Sequence, residues 1–259
     1  AMYVKEIKPN ATKIAGINQN YAWGHDSWND FEAAIKALMP SVQIVTSQMP
    51  KFLAGQYGAE ISALLTSGAE VVHSSFWGGD MEALVLQGAP RGLFSKSTVV
   101  LTTGETALPK LNTRVPEGTV IGARGPYGPF APDNAINQWL VKSYEDRYNV
   151  RPTYPAYKMT QAILGIKAAY EKAQAANGGK TPNQDQIIAS FEHLEFEGPG
   201  GTVRMALGKG HQAVLGTAYG TVKHENGQAV VTNVRYYPAE KVNPPEGVKS
   251  EDWVKTALK

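Results

Sequence analysis

Two tryptophans occupy matching positions in the sequence, each beside glycine and each just after a run of residues typical of a β-strand. Trp23 is followed by Gly24, and Trp77 by Gly78 and Gly79. In open α/β sheets, ligands bind beyond the carboxyl ends of the strands, where both tryptophans are predicted to lie. An indole presents a flat apolar face and one N–H donor, and glycine lets the backbone turn sharply beside it. The pattern predicts a binding site for a small molecule, although both rings could instead be packed in a core.

A second set of polar residues follows the fourth predicted strand. The segment Thr102–Thr106 contains Thr103, Gly104 and Glu105. Its hydroxyls and its carboxylate would lie at the same edge of the sheet as the two tryptophans, because the carboxyl ends of parallel strands meet there. The segment therefore adds candidate contacts for polar substituents of a ligand, although an ordinary polar loop explains it equally well.

Other kinds of chemistry have little support in the sequence. The chain has no cysteine, which excludes thiolate catalysis, disulfides and cysteine metal sites. Its five histidines are scattered, with no pair at the spacing typical of metal ligands, so no metal site and no cofactor is predicted. A Ser-His-Asp site assembled from distant residues stays open, with His73 or His211 as its histidine.

Composition narrows the class of protein. The chain has 259 residues and a formal net charge of +2 with both signs interspersed, so it is predicted to bind neither nucleic acid nor a membrane surface. No apolar run is long enough to cross a bilayer. The absence of cysteine suits an oxidising compartment, although no signal peptide is evident. The length predicts roughly two compact units.

The first 125 residues alternate strand-like and helix-like segments. This alternation predicts βαβ units and a parallel sheet that is buried on both faces. The predicted strands are Lys13–Asn18, Val42–Ser47, Glu70–Ser75, Thr98–Thr102 and Thr119–Ala123, and the predicted helices are Ser27–Leu38, Gln56–Thr66 and Asp80–Gln87.

The pattern changes after a segment rich in glycine and proline, Gly125–Pro132, which cannot continue a helix or a central strand. Helices are predicted over 134–148 and 157–176, and a third begins at Thr181 with a capping box that includes Gln184. β-like runs follow at 202–206, 214–223 and 229–236, and an Asn-Gly turn typical of hairpins joins the last two. A short C-terminal helix is predicted to be capped by Ser250.

The middle helices raise a question of burial. Ile163, Ile166, Ala169 and Tyr170 lie on an apolar face, which must pack against something. Residues 126–196, however, contain no predicted strand. Either these helices cover the first sheet, or they cover a sheet formed by residues outside this chain.

Glycines and aromatic residues along the chain carry a resemblance to a known family. The sequence resembles the periplasmic solute-binding receptors of ABC transporters, in the branched-chain amino acid receptor family. The matching features cover nearly the whole chain and are Lys8-Pro9, the corners at Trp23-Gly24 and Trp77, Gly88, Gly92-Leu93, Tyr127, Tyr154, Tyr157, Gly210-His211-Gln212 and Val222-Lys223.

The resemblance implies an α/β fold of two lobes, each a parallel sheet flanked by helices, that close on a ligand about a hinge. Residues 1–125 and 213–237 would form lobe two, residues 126–212 part of lobe one, and residues 238–259 a C-terminal tail. Members of the family carry the sheet of lobe one upstream, in about 100 residues, a domain-sized piece. One lobe is therefore expected to be incomplete in this chain, with a companion N-terminal fragment as a partner that could complete it.

The resemblance also implies a set of ligand contacts. They are Trp23, Trp77, Thr103, Gly104 and Glu105 in lobe two, and Tyr127 and Tyr154 on the hinge side. Amino acid receptors of the family commonly have tyrosine at the two corners and an acid in the third loop. Two tryptophans therefore favour a flat or aromatic ligand.

The implied function is that of a receptor and not of an enzyme. Such a protein is exported to the periplasm, captures a small carboxylate (an aromatic acid, or a branched-chain or aromatic amino acid) and delivers it to an ABC permease in the membrane. Two alternatives stay open. One is a ligand-sensing module of a regulator with the same fold, and the other, less favoured, is an α/β hydrolase-like enzyme that uses His73 or His211.

Overall fold

The computed structural model describes residues 1–205 and 212–258. The chain divides into two compact units. The first unit comprises Ala1–Arg124, Ala218–Arg235 and the C-terminal residues from Val248, and the second comprises Gly125–Thr217 and Tyr236–Gly247. The predicted tail, residues 238–259, is thus divided between the two units.

The bounds of the elements are as follows for the described residues. The strands are β1 (Lys13–Ile17), β2 (Gln43–Gln48), β3 (Val71–Ser74), β4 (Thr98–Leu101), β5 (Val120–Gly122), β6 (Glu195–Gly198), β7 (Gly201–Met205), β8 (Ala213–Val214), β9 (Thr217–Glu225) and β10 (Gln228–Tyr237). The helices are α1 (Met2–Ile7), α2 (Ala22–Leu38), α3 (Gly58–Ser67), α4 (Gly78–Gly88), α5 (Leu93–Lys96), α6 (Leu108–Leu111), α7 (Ala135–Tyr148), α8 (Tyr154–Ala176), α9 (Gln184–Ser190), α10 (Ala239–Val242) and α11 (Ser250–Ala257).

The first unit is built on a seven-stranded sheet in the order β10-β9-β5-β4-β3-β1-β2. Strands β1 to β5 pair in parallel, and β9 pairs antiparallel to β5. Every residue of β3 and of β5 is buried, as expected for a parallel sheet that is covered on both faces. The predicted α/β fold with a mostly parallel central sheet is confirmed.

Helix α2 packs tightly on strand β1 because glycine faces tryptophan at their contact. A Cβ atom added to Gly16 would lie 2.4 Å from the Trp28 ring. Trp28 in turn lies beside Phe31, with ring centroids 5.9 Å apart. The missing side chain of Gly16 thus lets the bulky indole approach the strand.

The two aromatic corners are tighter than predicted. Helix α2 begins at Ala22 and not at Ser27, so Trp23 and Gly24 belong to its first turn. A Cβ atom on Gly24 would lie 1.8 Å from the carbonyl oxygen of Gln19, which explains the glycine. At the second corner Trp77 is the N-cap residue of α4, and the glycine after it begins the helix.

The hairpin between β9 and β10 has the turn that the Asn-Gly pair predicts. Asn226 has φ +50° and Gly227 has φ +74°, so both central residues are in the left-handed conformation. Two-residue hairpin turns of this type match the twist of the strands that they join.

The second unit contains helices α7, α8 and α9 and an antiparallel sheet in the order β6-β7-β8. Its core includes Tyr127, Leu140 and Tyr157. Strand β6 was not expected, although its alternation of charged and uncharged residues is typical of a strand. The strand predicted at 202–206 ends at residue 206, which lies outside the described residues.

Two predicted helix caps are wrong in position. The capping box of α9 joins Asn183 to Gln186 and not Thr181 to Gln184, since the helix begins two residues later than the Pro182 signal indicated. Ser250 does not cap α11, since Lys249 is the N-cap residue and the Ser250 hydroxyl donates to Asp30 Oδ1 at 2.9 Å. At α11 a distant partner, Asp30, takes the hydroxyl that the local pattern assigned to the cap.

Candidate functional site

The loops that follow β1, β3 and β4 meet at the carboxyl edge of the first unit's sheet. The Ser75 amide donates to Asn18 Oδ1 at 2.8 Å, which ties the first corner to the second. The Thr103 hydroxyl donates to the carbonyl oxygen of Phe76 at 2.7 Å, which ties the second corner to the loop after β4. Short buried hydrogen bonds between loops hold this edge in one arrangement.

Trp23 lies on this edge with 37% of its surface exposed. Its Nε1 donates to the carbonyl oxygen of Ser75 at 2.9 Å, so the ring is fixed to the neighbouring corner. The guanidinium carbon of Arg124 lies 5.0 Å from the centroid of the indole, within the range of a cation–π contact. Arg124 follows β5 and was missed from the sequence, although it is the first charged residue after that predicted strand.

Trp77 is 38% exposed and belongs to an aromatic cluster of Tyr21, Phe52 and Trp77. Trp77 Nε1 donates to the Tyr21 hydroxyl at 2.7 Å. The Phe52 ring centroid lies 5.2 Å from that of Tyr21 and 5.6 Å from that of Trp77. Tyr21 and Phe52 were also missed. Each is an aromatic residue shortly after a predicted strand, and that position was the signal that could have identified it.

Thr103 and Gly104 are buried, and the structure gives each a packing role. The Thr103 hydroxyl already donates its hydrogen to the carbonyl oxygen of Phe76. A Cβ atom on Gly104 would lie 2.6 Å from Ile121 Cγ2, so glycine is required for the loop to lie against β5. These two predicted contacts therefore position the loop that carries Glu105, and their direct contact with a ligand stays a prediction.

Glu105 is a buried carboxyl at the same edge, with 1% of its surface exposed. Neither carboxyl oxygen has a hydrogen bond of good geometry among the described residues, although the nearby backbone N–H groups of Thr106 and Glu105 act to lower its pKa. Burial raises the pKa of Glu105 to about 8, against the opposing effect of the Arg124 charge. The group is therefore mainly a neutral acid at pH 7, able to donate as well as accept a hydrogen bond.

Three further polar atoms are buried at the first two corners without a hydrogen-bond partner among the described residues. They are Asn18 Nδ2, Gln19 Oε1 and Ser75 Oγ. Buried polar groups are nearly always paired with protein or ordered water, so each such atom needs an explanation. Together with Glu105 they give this edge several buried donors and acceptors that the described residues leave unsatisfied.

Tyr127 and Tyr154 lie in the second unit. Tyr127 is wholly buried, and its hydroxyl donates to Gln161 Oε1 at 2.8 Å. Tyr154 is partly buried and packs against the core cluster that contains Tyr127. Packing within the unit accounts for both rings, and their predicted contact with a ligand stays a prediction.

The histidine of the hydrolase alternative has the environment of a core residue. His73 is buried on β3 and stacks on Phe31, with ring centroids 4.2 Å apart. Burial lowers the pKa of His73 to about 3, so the ring is neutral. His211, the other candidate, lies outside the described residues. Within residues 1–205 and 212–258, no group of three or more histidine and acidic side chains could hold a metal ion.

The first unit is an α/β structure with a mostly parallel sheet. Residues 2–228 match the family model described as periplasmic binding protein, and the chain belongs to that family. The resemblance found in the sequence is therefore confirmed. The family is one of binding proteins, in agreement with the prediction that the chain is not an enzyme. None of the curated proteins is detectably similar to the chain.

Solved structures share the fold at low sequence identity. A solute-binding protein of an ABC transporter from Rhodopseudomonas palustris BisB5, in complex with 3,4-dihydroxy benzoic acid, is 18% identical with a TM-score of 0.76, over 92% of this chain and 62% of that one. A leucine-, isoleucine-, valine-, threonine- and alanine-binding protein from Brucella ovis is 17% identical with a TM-score of 0.75, over 95% and 63%. An ABC-type branched-chain amino acid transporter from R. palustris CGA009 is 22% identical with a TM-score of 0.71, over 92% and 63%.

These neighbours are longer proteins, since the chain spans less than two thirds of each of them. At such identities the likeness establishes the fold alone. Among the helices of the described residues, none combines the length and apolar character needed to cross a membrane.

Proposed function

We propose that this protein is an extracytoplasmic receptor of an ABC importer that binds a small aromatic carboxylate at the carboxyl edge of the first unit. The observation that carries the proposal is the presence of two partly exposed indole rings, Trp23 and Trp77, beside buried polar atoms that lack partners. Apolar sites with a few convergent polar groups are the usual form of small-molecule sites.

The indole rings favour an aromatic ligand. Both N–H donors are already used, by Ser75 at 2.9 Å and by Tyr21 at 2.7 Å. A ligand would therefore meet the faces and edges of the rings and not their donors. Aromatic pairs gain about 0.5–1.5 kcal/mol beyond the area that they bury.

The charged groups at this edge favour an acid or a phenol over an α-amino acid. Because burial raises the pKa of Glu105 to about 8, its carboxyl is a poor partner for a ligand ammonium group at pH 7. As a neutral acid it donates a hydrogen bond to a phenolic or carboxylate oxygen. Arg124, beside Trp23, supplies a positive charge for an anion.

The solved neighbours support the same class of ligand. One has 3,4-dihydroxy benzoic acid bound, and another, from R. palustris, has 4-hydroxybenzoate. The Brucella neighbour binds amino acids, so amino acids are the competing ligand class. Because such proteins serve ABC importers, the proposed partner is a membrane permease and the proposed location is the periplasm.

Isothermal titration calorimetry of the protein with 4-hydroxybenzoate and with leucine tests the proposal. We expect 4-hydroxybenzoate to bind and leucine to bind more weakly or not at all. Trp77→Ala should weaken 4-hydroxybenzoate binding by about 1–3 kcal/mol, the loss typical of a buried aromatic contact. Trp139→Ala, an exposed tryptophan of the second unit, is the matched control and should leave the affinity unchanged.

Two results of this titration would contradict the proposal. Tight binding of leucine without binding of 4-hydroxybenzoate would reverse the ligand class. Equal affinity of the wild type and of Trp77→Ala for 4-hydroxybenzoate would place the ligand away from the second corner.

A further inference from the structure

Asp80 is a buried acid that connects three loops of the first unit. It lies in the first turn of α4, just after the second corner. Its Oδ2 accepts a hydrogen bond from Gln19 Nε2 at 2.6 Å and another from the backbone N–H of Leu53 at 2.9 Å. Gln19 follows β1 and Leu53 follows β2, so one carboxylate joins the loops after three neighbouring strands. An acid in the first turn also suits the positive end of the helix dipole.

The bond to Leu53 holds a loop in a conformation that it would not otherwise favour. Leu53 has φ +58°, in the left-handed region that residues with a side chain rarely adopt. Such a conformation persists only where the surroundings fix it. The residue before it is Phe52, whose ring contacts Tyr21 and Trp77. The Asp80 bond therefore determines where the Phe52 ring lies.

The bond to Gln19 acts on the other side of the same aromatic cluster. Gln19 lies two residues before Tyr21, and its carbonyl oxygen closely approaches Gly24. The Tyr21 hydroxyl accepts the bond from Trp77 Nε1. Each of the two rings that contact Trp77 is thus carried by a loop that Asp80 holds.

We infer that Asp80 is a positioning residue of the proposed site, which fixes the loops of Tyr21 and Phe52 so that their rings hold Trp77 at the carboxyl edge. The inference rests on the proposed function only because that function supplies the ligand that the aromatic cluster would contact. Asp80 itself is buried, so its role is to set the position of Trp77 through Tyr21 and Phe52.

The test measures the position of the Trp77 ring without any ligand. The near-ultraviolet circular dichroism of Trp77 is obtained as the difference between a protein and the same protein with Trp77→Phe. In Asp80→Ala we expect this difference signal to lose most of its intensity, because Tyr21 and Phe52 no longer hold the ring. Trypsin cleavage after Lys51 should become faster by about tenfold, because opening of the loop no longer has to break the buried hydrogen bond between Leu53 and Asp80.

Gln87→Ala is the matched control. The Gln87 side chain holds the far end of the same loop, since its Oε1 accepts from the Tyr57 N–H at 2.9 Å and its Nε2 donates to the Gly55 carbonyl at 2.8 Å. Among the described residues the Gln87 side chain makes no hydrogen bond or ring contact with Tyr21, Phe52 or Trp77, and it reaches Asp80 only through Tyr57. Gln87→Ala should therefore loosen the loop and keep the Trp77 signal.

Asp80→Asn and Gln19→Leu extend the series if Asp80→Ala fails to fold. Asp80→Asn keeps an acceptor oxygen of the same shape and should restore most of the Trp77 signal. Gln19→Leu breaks one of the two bonds and should lower the signal partly.

The inference is overturned if variants at Asp80 and Gln19 fold with an unchanged Trp77 signal, or if Gln87→Ala lowers that signal as much as Asp80→Ala does. Both readouts are made without ligand. Failure of 4-hydroxybenzoate to bind would therefore count against the proposed function and leave the test of Asp80 intact.

Discussion

The two units of this chain differ in how fully they bury the apolar side chains of their helices. In the first unit, Ile61 and Leu64 of α3 are wholly buried. In the second unit, Met159, Ile163 and Ile166 lie at helical spacing on α8 and are between 57% and 63% exposed. Residues of this type and spacing normally mark the buried face of a helix. The difference shows that one face of α8 is not covered by any described residue.

The first prediction compares the same substitution, tryptophan to alanine, in the two units. Trp28 is 4% exposed and packs on Gly16, whereas Trp139 is 59% exposed. Trp28→Ala should lower the free energy of unfolding by about 3–5 kcal/mol, the cost of a large cavity in a core. Trp139→Ala should change it by less than about 0.5 kcal/mol. Urea denaturation followed by far-ultraviolet circular dichroism measures both, and equal losses would contradict the contrast.

A second prediction concerns the pH dependence of the first unit. Burial raises the pKa of Glu105 from 4.5 to about 8, so between these values the folded protein holds a proton that the unfolded chain has lost. The contribution of Glu105 to the free energy of unfolding should therefore fall as the pH rises from about 5 to 8, by at most about 1.4 kcal/mol per pH unit. His73 acts in the opposite sense below about pH 6.5, because burial lowers its pKa to about 3. Above pH 8 the Glu105 contribution becomes constant.

Glu105→Gln should remove this contribution and stabilise the protein at pH 8 and above, because glutamine stays neutral. Glu171→Gln is the control, since Glu171 is an exposed carboxyl of the second unit that pairs with Lys167. Denaturation at pH 5, 7 and 9 measures the effect. A pH profile of Glu105→Gln that matches the wild type would show that the carboxyl is ionised in the folded protein.

The third prediction uses the exposed face of α8. Large exposed apolar patches favour self-association. The double variant with Ile163→Glu and Ile166→Glu should weaken self-association by about tenfold or more. This factor corresponds to the free energy lost when a side chain of this size is no longer buried in a contact between two molecules. The free energy of unfolding should change little, because neither side chain is buried.

Leu86→Glu provides the comparison in the first unit, where Leu86 of α4 is 45% exposed. Single exposed residues of this kind are common on protein surfaces, so this change should leave self-association unaltered. Sedimentation velocity over a range of concentrations measures all three proteins. Unchanged self-association of the α8 double variant would contradict the interpretation of this face.

Much of the fold could be predicted from local patterns. Short apolar runs separated by helices indicated β1 to β5, and Asn226-Gly227 indicated the hairpin, because such signals depend on neighbours in sequence. The starting residue of α2 could not be predicted, since it depends on the close approach of Gly24 to Gln19. Strand β6 was missed because its alternating pattern is only four residues long, and its pairing with β7 depends on residues that come later in the chain.

The candidate site was predictable only where one residue carried the signal. Trp23 and Trp77 were found from aromatic and glycine residues after a strand. Arg124, Phe52 and Asp80 were missed, because their importance comes from contacts with residues that are distant in sequence. The buried state of Glu105 was also out of reach, since burial of a carboxyl is decided by packing of the whole unit.

Native mass spectrometry of the protein in an equal mixture of 4-hydroxybenzoate and leucine shows which of the two binds, since the two ligands differ in mass. We expect a complex with 4-hydroxybenzoate that is lost when Trp23 and Trp77 are both replaced by alanine. The Trp139→Ala protein should keep the complex. A complex with leucine alone, or a 4-hydroxybenzoate complex that survives replacement of both corner tryptophans, would contradict an aromatic-acid site at the carboxyl edge of the first unit.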